Sequence, residues 1–580
     1  MDIQRYLLIG VMALISVMLL TEWNVFKEQH EEAELAKLAA ESPRVAQQDT
    51  AALTDLTAPP PDSADVPRIQ IPSESSNTRL IDNSSGDDYI RFNTDNFVGV
   101  IALTGGDITE LALKKHKRKV DKDDPFSLLE QNSKRIYVAQ SGLIGPDGTD
   151  TASGRAHYST TATHYEMLNS DQELVINLHL AQDSGAQIVK RFTFRRDDYL
   201  IDVDYLINNV STDPWQAAMF GQIKRDSTAD PGSDSGPLGV KPFLGFATHT
   251  ADEPYLKRSF EDIAEQSYEV RASNSWVAMV QHYFISAWIP AADQEDTISM
   301  LVSKSGMNIG RFTTALLQIA PGTEGRISAH FYAGPKDQYT LEKIASGLDL
   351  TVDYGWLWWI AQPLFALLHF FATGELHIFG QVINLGSGVG NWGWSIILLT
   401  VCVKLAFFHL SAASYKSMAK MRKLQPKMLE LKERYGDDRQ KMSQETMELY
   451  RKEKVNPLGG CLPILIQMPV FISLYWVLLE SVELRHAPWA LWINDLSVMD
   501  PFYVLPLIMG ASMFFQQKLN PPPPDPMQAR IFQLMPIMFT VFFLFFPAGL
   551  VLYWVVNNLL SIAQQYVITK RIENEGITHK

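Results

Sequence analysis

The feature that most constrains this chain is a set of apolar blocks in its C-terminal third. The blocks cover residues 392–411, 458–479, 502–515 and 531–568. A helix of about 20 apolar residues crosses a bilayer, and the last block is about twice that length. Pro547 and Gly549 lie at its midpoint and supply the helix-ending residues of a tight turn. The last block is therefore predicted to be a hairpin of two spans.

A further apolar run, residues 6–20, lies near the N-terminus. Thr21, Glu22 and Trp23 follow it, and this sequence lacks a small-residue cleavage site. A membrane anchor over 1–23 is favoured, and a signal peptide is the alternative. The sequence thus predicts six spans, a five-helix core plus the anchor, at residues 1–23, 391–411, 458–480, 501–517, 531–546 and 548–568.

The loops between the spans differ in charge, which predicts their orientation. Residues 412–457 contain twelve Lys or Arg and seven acidic residues. Positive loops stay in the cytoplasm. This loop, the loop at 518–530 and the short tail at 569–580 are therefore expected to be cytoplasmic, together with both termini. Residues 24 to about 350 are then external, which in a bacterium means periplasmic.

The external region divides into a linker and a folded domain. Residues 24–80 are rich in Ala, Glu, Asp, Ser and Pro and lack apolar periodicity, as in a solvated tether. From there to residue 350, apolar and polar residues alternate in runs such as 174–180 and 201–208. This period of two is typical of half-buried strands. We predict a large antiparallel β-sandwich over 81–350.

The sequence lacks the usual marks of catalysis. The net charge of −15 does not suit a nucleic-acid binder. The two cysteines, Cys402 and Cys461, form no metal or disulfide pattern, and no P-loop is present. A GxGxxG match at 388–393 follows no strand and is interpreted as the entry to a span. We expect no cofactor, no metal and no enzymatic activity.

Lys404 is the informative residue of the second span. A cation within a membrane helix costs about 2.5–3.5 kcal/mol, so it usually faces water or a partner. Thr400 lies one turn earlier on the same face. Polar residues on other spans predict a shared wet cavity, and the candidates are Gln467, Asn557 and Asn558. Snorkelling of Lys404 and simple hydrogen bonding between helices are the alternatives.

Two segments beside the spans have their own patterns. Residues 412–457 repeat Leu and Met at helical spacing around a break near Gly436, which predicts a cytoplasmic helical hairpin. It is either a solvated connector or a docking surface for lipid, ribosome or substrate, with basic candidates Lys416, Lys420, Arg422, Lys423 and Lys427. Residues 351–371 are rich in Trp and Phe and predict an interfacial amphipathic helix.

Several short motifs in this region resemble the YidC/Oxa1/Alb3 family of membrane protein insertases, in its Gram-negative bacterial branch. They extend over about 200 residues and together are specific. The motifs are DYGWLW at 353–358, NWG at 391–393, SMAKM at 417–421, LQPK at 424–427, VNPLGGC at 455–461, QMP at 467–469 and PAGLVLY at 547–553.

The resemblance implies a hydrophilic groove that is open to the cytoplasm and to lipid. In the family the charge of this groove is usually an Arg, and Lys404 occupies the matching position here. Matching the family's substrate-contact region implies contacts at Thr400, Met468, Phe471, Tyr553 and Trp554, although a Tyr is common where Trp554 stands. The external domain resembles the family's all-β super-sandwich, which is similar in fold to sugar mutarotases, and this likeness implies no catalytic use.

The sequence thus predicts an insertase and chaperone of the bacterial inner membrane that works without nucleotide hydrolysis. Expected partners are nascent inner-membrane proteins, the Sec translocon (SecYEG and SecDF), membrane lipids and, through the hairpin, the ribosome or signal recognition particle machinery. No specific nucleic acid is expected. A channel or transporter that uses Lys404, and a membrane-tethered sugar-binding protein, are the alternatives.

Overall fold

The computed structural model describes most of the chain beyond residue 87. The described residues are 65–67, 88–120, 122–151, 154–183, 185–230, 242–292, 294–378, 381–435, 438–453, 462–520 and 526–577. The predicted anchor at 1–23 lies outside them, and so does the predicted linker at 24–80 apart from residues 65–67.

Nineteen strands lie between residues 89 and 335 of the described chain. They are β1 (Tyr89–Asn93), β2 (Phe97–Ala102), β3 (Asp107–Lys117), β4 (Pro125–Gln131), β5 (Ile136–Ile144), β6 (His164–Glu166), β7 (Glu173–Ala181), β8 (Ala186–Arg195), β9 (Leu200–Asn209), β10 (Trp215–Arg225), β11 (Gly245–His249), β12 (Leu256–Ser259), β13 (Tyr268–Ser273), β14 (Trp276–Val280), β15 (Phe284–Pro290), β16 (Glu295–Val302), β17 (Asn308–Thr313), β18 (Leu317–Ile319) and β19 (Glu324–Pro335).

These strands form two sheets that enclose one apolar core. The first has eleven strands in the order β13, β16, β17, β10, β5, β4, β3, β2, β1, β6, with β18 also paired to β10. The second has eight in the order β12, β11, β14, β15, β19, β9, β8, β7. The pairings are antiparallel except β1 with β6. A β-rich domain is therefore confirmed where the sequence predicts one.

Part of the second sheet is buried on both faces, which explains its unbroken apolar strands. In β14, Val277 and Met279 enter the core between the sheets, whereas Trp276 and Ala278 face the other side. Strands buried on both faces read as continuous apolar runs instead of alternating ones. The outer side is covered by the segment that leads into the C-terminal helices, so a second apolar core begins there.

A short piece of the predicted linker is docked on the first sheet. Asp65 is buried, and its carboxylate lies 2.7 Å from the Nζ of Lys224 on β10. Val66 packs beside Ile144 and Phe220 in a small separate apolar cluster. The prediction of a solvated linker is therefore wrong at these two residues, because a buried ion pair and an apolar contact hold them against the domain.

Ten helices occur in the described residues. They are α1 (Phe260–Glu265), α2 (Gln338–Ile344), α3 (Trp358–Thr373), α4 (Trp392–Ala406), α5 (Phe408–Tyr435), α6 (Arg439–Lys452), α7 (Leu462–Glu480), α8 (Val504–Leu519), α9 (Pro526–Phe543) and α10 (Ala548–Ile577). A two-stranded hairpin, β20 (Glu375–Ile378) and β21 (Gln381–Asn384), joins α3 to α4.

The C-terminal helices follow the predicted blocks with shifted ends. The turn predicted in the last apolar block separates α9 from α10. The predicted final span ends at residue 568, but α10 continues to Ile577 because no Pro or Gly interrupts it before Gly576. Helices α5 and α6 lie where the cytoplasmic hairpin is predicted, and α5 begins directly after Phe407.

The lengths of the described helices bear on the number of spans. By length and composition, Gly355–Thr373 can cross a membrane, and so can α4 and α5 if this pair, bent by 67°, is one span. Gln467–Glu480 and Arg530–Phe543 are shorter apolar helices. The total of six spans and the interfacial placement of 351–371 therefore stay predictions.

The β-domain is seated on the outer end of α7 by buried polar contacts. The ammonium of Lys336, just after β19, lies 2.7 Å from the carboxylate of Glu480, the last residue of α7, and both side chains are buried. A ring nitrogen of His282 lies 2.9 Å from the carbonyl oxygen of Leu479. The sandwich and the C-terminal helices therefore share one buried seam.

A carboxyl group in this seam predicts a pH-dependent stability. Glu483 lies in the short turn Val482–Leu484, and its Oε2 is buried without a hydrogen-bond partner among the described residues. Burial, reinforced by Asp337, raises the pKa of Glu483 to about 8. The folded state therefore binds this proton more tightly than the unfolded chain, whose Glu pKa is about 4.3. The contribution of this proton to the free energy of unfolding is therefore fully present below pH 4 and is lost progressively as the pH rises towards 8.

We expect Glu483→Gln to remove this loss, which costs up to about 1.4 kcal/mol per pH unit. Thermal unfolding of the purified protein between pH 4 and 9 would measure it. The matched control is Glu261→Gln, an exposed acid in α1. Identical pH profiles for wild type and Glu483→Gln would contradict the prediction.

Candidate functional site

The glycine-rich segment before α4 forms a helix cap. The side chain of Asn391 accepts a hydrogen bond from the Trp394 N–H at 3.1 Å and donates to the carbonyl oxygens of Pro488 and Trp489. Gly393 packs so closely on the Trp489 ring that a Cβ would clash. These contacts fix the start of α4. The close packing on Trp489 accounts for a glycine at position 393 without a role in nucleotide binding.

Lys404 points from α4 towards the last helix. Its Nζ donates a hydrogen bond to the Ser561 Oγ on α10 at 2.8 Å, and this hydroxyl donates to the Asn557 carbonyl oxygen at 2.7 Å. The Lys404 side chain is half-buried. Among the described residues, no carboxylate lies within ion-pair distance of it. The ammonium therefore lies between two helices with a neutral partner.

The face of α10 that Lys404 meets is polar along its length. Asn557, Ser561 and Gln565 are four residues apart, so they share one helix face, and all three are buried. Next to this face, the Nδ2 of Asn558 donates to the Ser512 Oγ on α8 at 3.1 Å. The predicted lining residues on α10 thus lie together between α4 and α8.

The predicted contact residues differ in accessibility. Thr400 is fully buried and donates its hydroxyl proton to the Ile396 carbonyl oxygen of its own helix. Tyr553 is also buried and accepts a hydrogen bond from the side chain of Gln467. Met468, the residue after Gln467, is exposed. Thr400 and Tyr553 would therefore have to be uncovered before they could touch another molecule.

Two predicted aromatic contacts form a pair on α7 and α10. The ring centroids of Phe471 and Trp554 are 5.0 Å apart with an edge-to-face arrangement, and both rings also contact Phe543 on α9. Both side chains are half-buried. An apolar aromatic wall thus lies beside the polar face of α10.

Several buried polar atoms in this region lack a protein partner among the described residues. They are the Ser473 Oγ, the Trp554 Nε1, the Asn557 Oδ1 and the Gln565 Oε1. A buried polar atom without a hydrogen bond costs about 1–3 kcal/mol, and polar cavities of proteins usually hold water that supplies the bond. The space between these helices is therefore chemically suited to water.

The predicted docking hairpin presents its basic residues to solvent. The exposed side chains on α5 include all five predicted residues, Lys416, Lys420, Arg422, Lys423 and Lys427. Between the two helices, the Tyr450 O–H donates to the Met428 sulfur at 3.1 Å, and Lys427 pairs with Glu453 at 2.6 Å. Met428 and Lys427 thus help to hold the two helices of the hairpin together.

Ser561 and Ser512 are missed by the sequence reasoning. Ser561 lies midway between Asn557 and Gln565 in a four-residue repeat, and that spacing is the signal that could have found it. Ser512 has no such signal because its partner is on another helix. No group of three or more His, Cys, Asp or Glu side chains in the described chain could hold a metal ion.

Two family models match successive parts of the chain, and the first match extends past the last strand of the sandwich into α3. Residues 89–367 match the model described as the YidC periplasmic domain, and residues 384–575 match the model described as the 60Kd inner membrane protein. Together, the two matches define a class of inner-membrane proteins with a periplasmic β-rich domain and a C-terminal helical region.

Full-length relatives narrow this class. The chain is 52% identical to the membrane protein insertase YidC of Cellvibrio japonicus and 49% identical to that of Alcanivorax borkumensis, over 99% of this chain and at least 99% of each relative. The chain therefore belongs to the YidC family of membrane protein insertases. The family resemblance drawn from the motifs is confirmed.

Solved structures show more distant likenesses. A crystal structure of an active YidC insertase aligns with 83% of this chain and 92% of its own, at 18% identity and a TM-score of 0.36. A galactose mutarotase-like protein from Lactobacillus casei aligns with 42% of this chain and 99% of its own, at 9% identity and a TM-score of 0.30.

Proposed function

We propose that this protein inserts other membrane proteins into the bacterial inner membrane and assists their folding. The observation that carries the proposal is the polar face of α10 opposite Lys404, with buried polar atoms that have no hydrogen-bond partner among the described residues. Helices that only pack against each other satisfy such atoms mutually. A polar interior that is left unsatisfied is suited to receive water and a polar segment of a substrate.

The physical principle is a lower free-energy barrier for moving a polar segment of the substrate across the membrane. A polar loop of a substrate that crosses hydrocarbon loses its hydration, and each unsatisfied backbone group costs several kcal/mol there. In the proposed groove, Asn557, Gln565 and bound water would replace part of that hydration, and Lys404 would favour a carboxylate. The apolar part of the substrate would move along Met468 and the Phe471–Trp554 pair into lipid. No step requires nucleotide hydrolysis, so we propose no enzymatic role.

The membrane arrangement is part of the proposal. We infer six spans with both termini in the cytoplasm, so that the basic α5 and α6 face the cytoplasm and the β-domain faces the periplasm. The exposed lysines and arginine of α5 would then meet anionic headgroups or the ribosome and signal recognition particle machinery. Cooperation with the Sec translocon belongs to the same proposal and is supported by family membership.

The direct test is insertion into liposomes that contain only this protein. A small newly synthesised membrane protein would be added, followed by protease, and the protected fraction measured. We expect protection well above that of empty liposomes. The matched control is Lys115→Ala, which removes an exposed lysine of the β-domain and should insert as well as wild type. Protection no higher than in empty liposomes would contradict autonomous insertion.

The same vesicles separate the two alternatives. A channel or transporter that uses Lys404 would release a trapped solute without any substrate protein, whereas an insertase would not. A sugar-binding protein would keep its ligand in the isolated β-domain and would need no helices. We expect neither solute release nor sugar-dependent changes in insertion.

A further inference from the structure

The hairpin between α3 and α4 exposes apolar side chains on both of its faces. Val382 and Ile383 are neighbours on β21, so they point to opposite faces, and both are exposed. Leu385 and Val389 follow, with exposed fractions of 65% and 50%. A two-stranded hairpin is at best marginally stable alone in water. We therefore expect its exposed apolar surface to be covered by something other than water.

The base of the hairpin is fixed. The N–H of Leu385 donates to the Gly374 carbonyl oxygen at 3.1 Å, and the N–H of Val389 donates to the Phe371 carbonyl oxygen at 2.8 Å. On β20, the His377 ring stacks on Tyr339 of α2 with ring centroids 3.6 Å apart. The end of α3 and the helix after the sandwich thus hold the hairpin, and its apolar residues stay directed outwards.

We propose that this hairpin lies in the headgroup and upper acyl region of the outer leaflet and is covered by phospholipid. The proposal rests on the membrane arrangement proposed above, in which the N-terminal end of α4 is external. The uncharged stretch runs from residue 376 to residue 403, between Glu375 at the start of β20 and Lys404 near the end of α4, and includes no Asp, Glu, Lys or Arg. Trp394, two residues into α4 and partly exposed, has the amphipathic ring that favours this depth.

Lipid fits this surface better than a protein partner does. A protein would cover one face of a two-stranded ribbon, whereas fluid lipid surrounds both. Among the described strands, β21 pairs only with β20. The backbone groups on its other edge cannot enter hydrocarbon unpaired, but they can be hydrated among headgroups. The hairpin would therefore stay at the interface and fix the depth of α4. Lys404, ten residues after Trp394, would lie about 15 Å further along the helix.

The test places a fluorescent probe on the hairpin of the full-length protein. Cys402 and Cys461 are replaced by Ser, Leu385→Cys is labelled with a nitrobenzoxadiazole, and the protein is put into vesicles of phosphatidylethanolamine and phosphatidylglycerol. One series contains a lipid with a nitroxide near the top of its acyl chain, and another receives aqueous iodide. Leu168→Cys on the β-domain and Leu507→Cys on α8 are matched controls, since each of these leucines is 60% exposed.

We expect the lipid nitroxide to reduce the Leu385→Cys signal roughly twofold and iodide to have little effect, as for a group at the lipid interface. Leu168→Cys should behave in the opposite way. If lipid quenches Leu507→Cys but not Leu385→Cys, the hairpin proposal is overturned and the membrane arrangement stands. If the lipid nitroxide quenches neither Leu507→Cys nor Leu385→Cys, the proposed membrane arrangement is overturned and so is the hairpin proposal that rests on it. If neither quencher reaches Leu385→Cys, protein covers the hairpin, which also overturns the proposal.

Discussion

Changing Lys404 to Glu is expected to lower the rate of insertion about tenfold or more, which corresponds to about 1.4 kcal/mol in the barrier. The Lys404 ammonium meets the Ser561 hydroxyl with no carboxylate nearby in the described chain, so it is the main local charge in the space between α4 and α10. A Glu there would repel acidic substrate segments. Insertion of a substrate with an acidic external segment, measured by protease protection, would show the effect.

A series at the same position separates charge from hydration. Lys404→Arg keeps the charge and should insert close to wild type. Lys404→Gln keeps a hydrogen-bond donor without the charge, and Lys404→Ala keeps neither. If hydration matters most, Lys404→Gln inserts neutral substrates at nearly the wild-type rate, whereas Lys404→Ala inserts them more slowly. If charge matters most, Lys404→Gln and Lys404→Ala both insert acidic substrates more slowly than wild type, and by a similar factor. Equal activity of all variants, Glu included, would remove Lys404 from the mechanism.

Ser561→Ala is the control for position. It removes the hydrogen-bond partner of Lys404 without removing the charge. We expect a smaller loss than for Lys404→Glu, because the ammonium can turn to water or to Asn557. A loss as large as that of Lys404→Glu would mean that the geometry of the pair matters more than the sign of its charge.

Local patterns predicted much of this fold because they depend on neighbours in the chain. The alternation over 201–208 predicted a strand, and the Pro and Gly after Phe546 predicted the break between α9 and α10. The bounds of the helices were less predictable. Helix α10 runs past its apolar stretch, because apolar length limits a span but does not end a helix.

Contacts between distant segments could not be predicted in the same way. Lys404 and Ser561 are 157 residues apart, and no periodicity links them. The β20–β21 hairpin also escaped prediction, since its strands are four residues each and depend on the end of α3 and on Tyr339. The sequence indicated which side chains on α4 and α10 were polar, and the fold determined which of them meet.

The buried ion pair at the seam predicts that the β-domain helps to hold α7 in place. Lys336→Met would leave the Glu480 carboxylate buried without its cation, and breaking such a pair costs about 3–5 kcal/mol. We expect the thermal unfolding midpoint to fall by roughly 6 °C or more. We also expect faster trypsin cleavage after Lys343 in α2, the site between β19 and α3 that the substitution leaves in place. Lys257→Met is the matched control, because its ion pair with Asp353 is largely exposed and such pairs contribute about 0–1 kcal/mol.

The double variant with Lys336→Met and Glu480→Met tests whether the uncompensated charge causes the loss. Replacing both partners by apolar residues is often neutral, so stability should largely return. Gln467 and Phe471 lie on the same helix as Glu480, and a loosened outer end of α7 would also displace them. Insertion should therefore fall in the single variant and recover in the double variant. If stability recovers but insertion does not, the charge pair itself, and not only the seat it stabilises, is needed for insertion.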